Sequence, residues 1–123
     1  MELTKSEKQL MEIIWTKEKV FMKDILELYP DPKPAATTVA TLLKRMQDKK
    51  FISYQVFGNS RQYYPLVKKK DYFSRHVKSI IKNYFEGSPL GFASFFTTST
   101  NLSAIELEKL KELIDQQIQK KKK

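Results

Sequence analysis

The chain has 123 residues, 41% hydrophobic and 30% charged, which fits one small folded domain plus an appended element and argues against a disordered chain and against multidomain enzyme architectures. It contains no cysteine and one histidine, His76, so disulfide frameworks, thiolate zinc sites and cysteine nucleophiles are excluded and no metal site is expected. Net charge is +9, and the stretch from Lys33 to Lys70 alone carries +8, with nine basic residues against Asp48.

The opening Met1 to Glu7 is polar and charged, and no apolar run approaches the ~18 residues of a membrane span. A cytoplasmic protein with no membrane insertion is the expectation. Thr4 and Glu7 have capping-box spacing, so a first helix is predicted there, with Leu10, Met11, Ile14 and Trp15 as its apolar stripe. Val20-Phe21 reads as extended. Met22 to Tyr29 reads as a second helix, with Ile25, Leu26 and Leu28 inward, and the proline-rich Pro30 to Pro34 stops it.

A third helix is predicted from Ala35 to Lys50. Val39, Leu42, Leu43 and Met46 form its buried stripe, leaving Thr38, Thr41, Lys44, Arg45 and Lys49 on polar faces. The period then changes: Phe51 to Phe57 and Arg61 to Leu66 are β-rich runs around Gly58-Asn59-Ser60, a hairpin signal. Three helices followed by a basic hairpin is the order of a winged helix-turn-helix.

Lys69 to Phe85 reads as a fourth helix, carrying Phe73, Val77, Ile80, Ile81 and Tyr84. Glu86 to Gly91 holds two of the three glycines and is predicted to be a flexible joint. Phe92 to Phe96 is short and aromatic, and Thr97 to Asn101 is polar. Ser103 and Glu106 repeat the capping-box spacing and open a last helix, with Leu107, Leu110, Ile114 and Ile118 as its stripe and Leu113 alongside. The run Lys120 to Lys123 is expected to fray in solvent rather than to touch DNA.

The predicted fold is therefore mainly α with a small β-hairpin: a winged-helix DNA-binding domain over 1–67, then a helical dimerisation region over 68–123. Apolar stripes without an intrachain partner usually find one on another chain. Phe73, Val77, Ile80, Ile81, Tyr84, Leu107, Leu110 and Ile114 are the candidate homodimer contacts; folding back onto the winged domain is the alternative.

A winged helix lays its third helix in the major groove and its hairpin against the neighbouring backbone. The candidate DNA contacts are Thr37, Thr38, Thr41, Lys44, Arg45 and Lys49 on that helix, and Arg61 at the hairpin tip. Thr38 and Thr41, three apart, share a face and offer hydroxyls and methyls to bases, whereas the basic residues suit phosphates. The alternative for all of them is ordinary helix surface and solvated charge. Tyr54, Phe57, Tyr63 and Tyr64 are expected to pack the wing onto the helices rather than to stack on single-stranded bases. The carboxylates lie mainly on solvent-facing helix positions. His76, on the polar side of the fourth helix, has no second ligand one turn away. No catalytic set, metal site or cofactor is expected. Two rival readings are a nucleic-acid module without sequence choice and a winged helix that docks a protein partner.

These residues resemble the penicillinase-repressor family of bacteria, the BlaI and MecI type. Leu3-Thr4, Ser6-Glu7, Leu10-Met11 and Ile14-Trp15 look like its first-helix signature. Thr38-Val39, Thr41-Leu42-Leu43 and Arg45-Met46 follow its threonine, threonine, arginine pattern. Gly58, Arg61, Tyr63 and Tyr64 look like its wing, and Tyr84, Gly87, Leu102-Ser103, Glu106 and Leu110 echo its dimerisation region. The resemblance implies a homodimeric repressor on an inverted-repeat double-stranded operator, controlling a resistance operon and often its own gene, with Thr38, Thr41 and Arg45 at the DNA. It also implies derepression by a membrane sensor-protease that cuts between the winged domain and the last helix. Two positions depart from the pattern. The family's cleaved Asn-Phe pair aligns with Phe95-Phe96, and its glycine after the recognition helix is Lys50. The cysteine cluster of copper-responsive relatives is absent.

Overall fold

Helix α1 (Lys5–Lys17) begins on a reciprocal cap: the Thr4 hydroxyl accepts from the Glu7 amide at 3.2 Å, and the Glu7 carboxylate accepts from the Thr4 amide at 2.9 Å. Two otherwise orphaned amides are satisfied this way, which fixes where the helix starts. The computed structural model describes residues 3–122, so Met1 and Glu2 of the polar opening and Lys123 of the lysine run lie outside the described residues.

Strand β1 (Val20–Phe21) follows, then α2 (Met22–Leu28), α3 (Ala36–Asp48), and the wing strands β2 (Ile52–Phe57) and β3 (Ser60–Pro65). The short extended stretch at Val20 was not read as part of the wing, yet it completes a three-stranded antiparallel sheet in the order β1-β3-β2. Val20 pairs with Tyr63 and Phe21 with Gln62, while β2 and β3 pair from Ile52↔Pro65 to Phe57↔Ser60. Of the two central turn residues only Gly58 has a positive φ, 61°, the pattern of a type II′ hairpin turn.

The core sits where these elements meet. Leu10, Met11 and Ile14 of α1, Ile25 of α2, and Ile52 and Tyr63 of the sheet enclose the α3 stripe Val39, Leu42, Leu43 and Met46. That stripe is buried as its spacing predicts. Leu28, expected inward, is exposed, because α2 ends there and Tyr29 takes the interior position. Trp15 packs at the margin of the core rather than within it, with its indole N–H donating to the Val67 carbonyl at 2.8 Å. Tyr72, which the stripe of the fourth helix did not include, is buried. Its ring lies against Trp15 and Phe51, and its hydroxyl accepts from the Leu3 amide at 3.2 Å.

One compact unit ends at His76 and a second begins at Val77, so α4 (Lys69–Tyr84) contributes to both. In the second unit, the expected flexible joint is a closed turn. Glu86 and Gly87 take positive φ, and the Gly87 amide donates back to the Ile81 carbonyl at 3.0 Å. Helix α5 (Pro89–Ser99) then starts on Ser88, whose hydroxyl accepts from the Gly91 amide. It runs through the short aromatic stretch and into the polar threonine stretch, neither of which shows a helical pattern in the sequence. Its threonines are accommodated because Thr97 and Thr98 donate their hydroxyls to the preceding turn. Helix α6 (Ala104–Lys122) opens on the expected Ser103–Glu106 cap. It continues through Lys122 rather than fraying at the lysines, whose charges suit a helix C-terminus.

The end of α3 decides how the chain enters the wing. The Phe51 amide donates to the Met46 carbonyl and the Lys50 amide to the Gln47 carbonyl, both at 2.9 Å, the pair of bonds of a Schellman motif. This geometry places Lys50 at φ 65°, a left-handed conformation that a side chain disfavours. We predict that Lys50→Gly stabilises the fold by about 0.5–1 kcal/mol and that Lys50→Val destabilises it, measured by urea unfolding.

Candidate nucleic-acid interface

Burial of the α3 stripe turns the opposite face of that helix to solvent. Thr37, Thr38, Thr41, Lys44 and Arg45 are all exposed there. The Thr41 hydroxyl donates to the Thr37 carbonyl at 3.0 Å, which holds its rotamer and leaves its methyl and lone pairs outward. The N-cap residue is Ala35, without a side-chain cap, and the first turn holds no acidic residue. The positive end of the helix dipole and its first amides are therefore open to an anion.

The wing adds a third cation. The Arg61 guanidinium lies 4.3 Å above the Tyr54 ring, which packs in turn on Tyr63. Arg61 lies opposite Val56, one pair from the turn, and its stacking holds it at the exposed end of the wing. Tyr63 is buried and Tyr54 partly so, as packing of the wing requires; Phe57 is exposed, edge-on to Phe21.

Glu7 is the residue that sequence reasoning missed. Its side chain is 0% exposed, although the carboxylates were expected mainly on solvent-facing positions. The Lys49 ammonium donates to both its oxygens, at 2.9 and 2.8 Å, and the Arg45 guanidinium lies 3.8 Å away. The signal was in the spacing: Glu7, Leu10, Met11 and Ile14 continue one buried stripe. Burial pushes the Glu7 carboxyl up, but the Lys49 ammonium and the hydrogen bonds with Thr4 outweigh it and hold the group below the usual carboxylate range.

The same pair bears on Lys49. It was placed among the phosphate contacts, yet its side chain is only 26% exposed and its ammonium is engaged by Glu7. Arg45 keeps 47% of its side chain in solvent. Lys33, counted in the basic segment, donates to the carbonyls of Glu27 and Tyr29 and so closes the end of α2. On α3, at its end and on the wing, the outward cations are thus Lys44, Arg45, Lys50 and Arg61, and Lys68, Lys69 and Lys70 are exposed at the start of α4.

The remaining candidates lie elsewhere. Phe73, Val77, Tyr84, Leu107 and Ile114 are exposed, while Ile80, Ile81 and Leu110 are half-buried. Leu110, Leu113, Ile114, Gln117 and Ile118 form an open, mainly apolar face along α6. Phe95 and Phe96 fall inside α5, both exposed, with Phe95 against Phe85 and Phe96 stacked on Phe92. His76 is half-buried and stacked on Tyr72 rather than sitting on a polar surface. Among the described residues there is no cluster that could hold a metal, and no helix is long and apolar enough to cross a membrane.

Three helices, the third presenting an uncapped N-terminus and a polar, basic face, followed by a basic wing, define a winged-helix DNA-binding protein. Comparison with known proteins gives the same class. The solution structure of the DNA binding domain of the repressor BlaI shares this fold, with a TM-score of 0.52 at 22% identity over 58% of this chain and 88% of that one. The methicillin resistance regulatory protein MecI of Staphylococcus aureus (strain N315) is 28% identical over 115 residues, 93% of this chain and 94% of the relative. MecI of Mammaliicoccus sciuri is 28% identical over 117 residues. The sequence profile of the penicillinase repressor family matches residues 3–116, and the chain belongs to that family. It is a DNA-binding transcriptional repressor and not an enzyme.

Breaking the Glu7 pair from the lysine side leaves a buried carboxylate with the more distant Arg45 as its nearest cation. Lys49→Met is predicted to destabilise the fold by about 2–3 kcal/mol in urea unfolding. A carboxyl whose folded pKa is lowered contributes stability above its ordinary pKa and loses it as pH falls through the folded value. Stability of the native chain is therefore expected to drop at acid pH below the usual carboxylate range, and Glu7→Gln to flatten that part of the profile.

Proposed function

We propose that the protein is a cytoplasmic repressor that binds an inverted-repeat DNA operator as a homodimer. The observation that carries this reading is the division of α3 into a fully buried apolar stripe and an outward face of threonines and cations. Thr37, Thr38 and Thr41 are the residues placed to read base edges and thymine methyls. Lys44, Arg45 and Arg61 supply phosphate contacts, which give affinity without sequence information and make binding steeply salt-dependent. The similarity to methicillin resistance regulatory proteins supports a resistance-type operon as the target.

The second unit supplies the support for a dimer. Tyr84, Leu90, Ile105, Ile114 and Ile118 are exposed apolar residues spread along α4, α5 and α6. A second copy would cover them, and linking two winged units would let the half-sites be bound together with a gain in effective concentration. A sensor-protease that cut α5 at Phe95–Phe96 would separate α6 from the winged unit and remove that gain. The helix must open for this bond to enter a protease, since both residues lie within its hydrogen-bonded turns.

The test is a fluorescence-anisotropy titration with DNA from upstream of the protein's own gene against a scrambled duplex. The reading predicts a preference of ~10³-fold or more for the upstream DNA; equal affinity for both would contradict it in favour of charge-driven binding. Arg45→Ala is expected to weaken binding to all sequences, whereas Thr41→Val relaxes discrimination by ~1–3 kcal/mol at one base pair. Sedimentation equilibrium is expected to give a dimer at micromolar concentration.

A further inference from the structure

Among the described residues, Glu7 is the one charged side chain in the core, and both of its cationic neighbours, Arg45 and Lys49, belong to the helix whose outer face is offered to DNA. The two cations are one turn apart on α3 and converge on a single carboxylate. A lysine ammonium is a compact charge on a flexible stem that contacts any phosphate in any register. Arginine differs, because its planar donor fork reads geometry and is more useful when its orientation is already set.

We propose that Glu7 is a positioning residue for DNA discrimination: it withholds Lys49 from phosphates and biases the Arg45 guanidinium by charge attraction across 3.8 Å, so that indiscriminate binding is weakened relative to specific binding. The inference rests on the repressor reading above. Freeing Lys49 adds about one phosphate contact to every complex, whereas releasing Arg45 loosens an oriented phosphate contact that every complex makes and the correctly registered complex makes best. Loss of the Glu7 charge should therefore shift the balance towards non-specific DNA.

The experiment compares the native full-length chain, Glu7→Gln, and Glu7→Gln/Lys49→Met, each checked for folding by circular dichroism. Affinity for the upstream and scrambled duplexes is measured over a series of salt concentrations. Glu7→Gln is expected to bind the scrambled duplex about fivefold tighter at ~0.1 M salt and to steepen the log–log salt slope by about 0.9, the contribution of one phosphate contact. The preference for upstream DNA should fall by a similar factor. The double variant, which lacks the freed ammonium, should return the scrambled-DNA slope to the native value. A uniform weakening by Glu7→Gln on both duplexes with an unchanged slope would overturn the proposal and leave Glu7 a scaffold residue. A double variant that kept the steeper slope would overturn it as well.

One measurement needs no variant. In acetylation footprinting of the native chain, Lys44 is expected to be protected by duplex, and Lys49 to react slowly at the same rate with or without it. Protection of Lys49 by duplex would contradict the proposal. If the native chain shows no preference between duplexes, the repressor reading fails, while the slopes on scrambled DNA still test Glu7.

Discussion

The structure turns on one buried carboxylate. Glu7 accepts from the Thr4 amide to begin α1, and from Lys49 to tie that beginning to the end of α3. A charge with no solvent exposure is stable in a core only when its oxygens are occupied, and here the reciprocal cap and the ammonium occupy them. The pair thereby sets where α3 lies on α1. The apolar stripe of α3 is buried beside it, with Val39, Leu42, Leu43 and Met46 in one core with α1 and the sheet.

The same anchoring sorts the basic segment into two groups. Lys49 is engaged by a buried carboxylate and Lys33 by backbone carbonyls at the end of α2, and so both serve the fold. Lys44, Arg45, Lys50 and Arg61 turn outward. A concentration of +8 in the sequence therefore overstates the charge offered to a polyanion, and the remainder divides between α3 with the wing and the exposed Lys68, Lys69 and Lys70 at the start of α4. Stacking of Arg61 on Tyr54 and the back-bonded hydroxyl of Thr41 reduce the freedom of two side chains on that surface before any ligand arrives.

Much of this was legible because it is encoded locally. The two capping boxes, the α3 stripe and the hairpin turn each depend on residues within a few positions of one another, where spacing is sufficient. What escaped reading depends on partners far along the chain. Val20-Phe21 is too short to declare itself a strand and becomes one by pairing with Tyr63 and Gln62. Glu7 looked like a cap and nothing more, since Lys49 lies 42 residues away. Helix α5 was missed for a different reason. Phenylalanine and threonine carry weak helix propensity, and the back-bonding of Thr97 and Thr98 is visible only in three dimensions.

The most direct test of the account is an amide chemical-shift titration of the isotopically labelled protein with the upstream duplex. The account predicts that the largest perturbations fall on residues 37–45 of α3 and 58–61 of the wing, the surfaces that carry the outward polar groups. Perturbations confined to the second unit, with α3 and the wing unmoved by DNA, would contradict it.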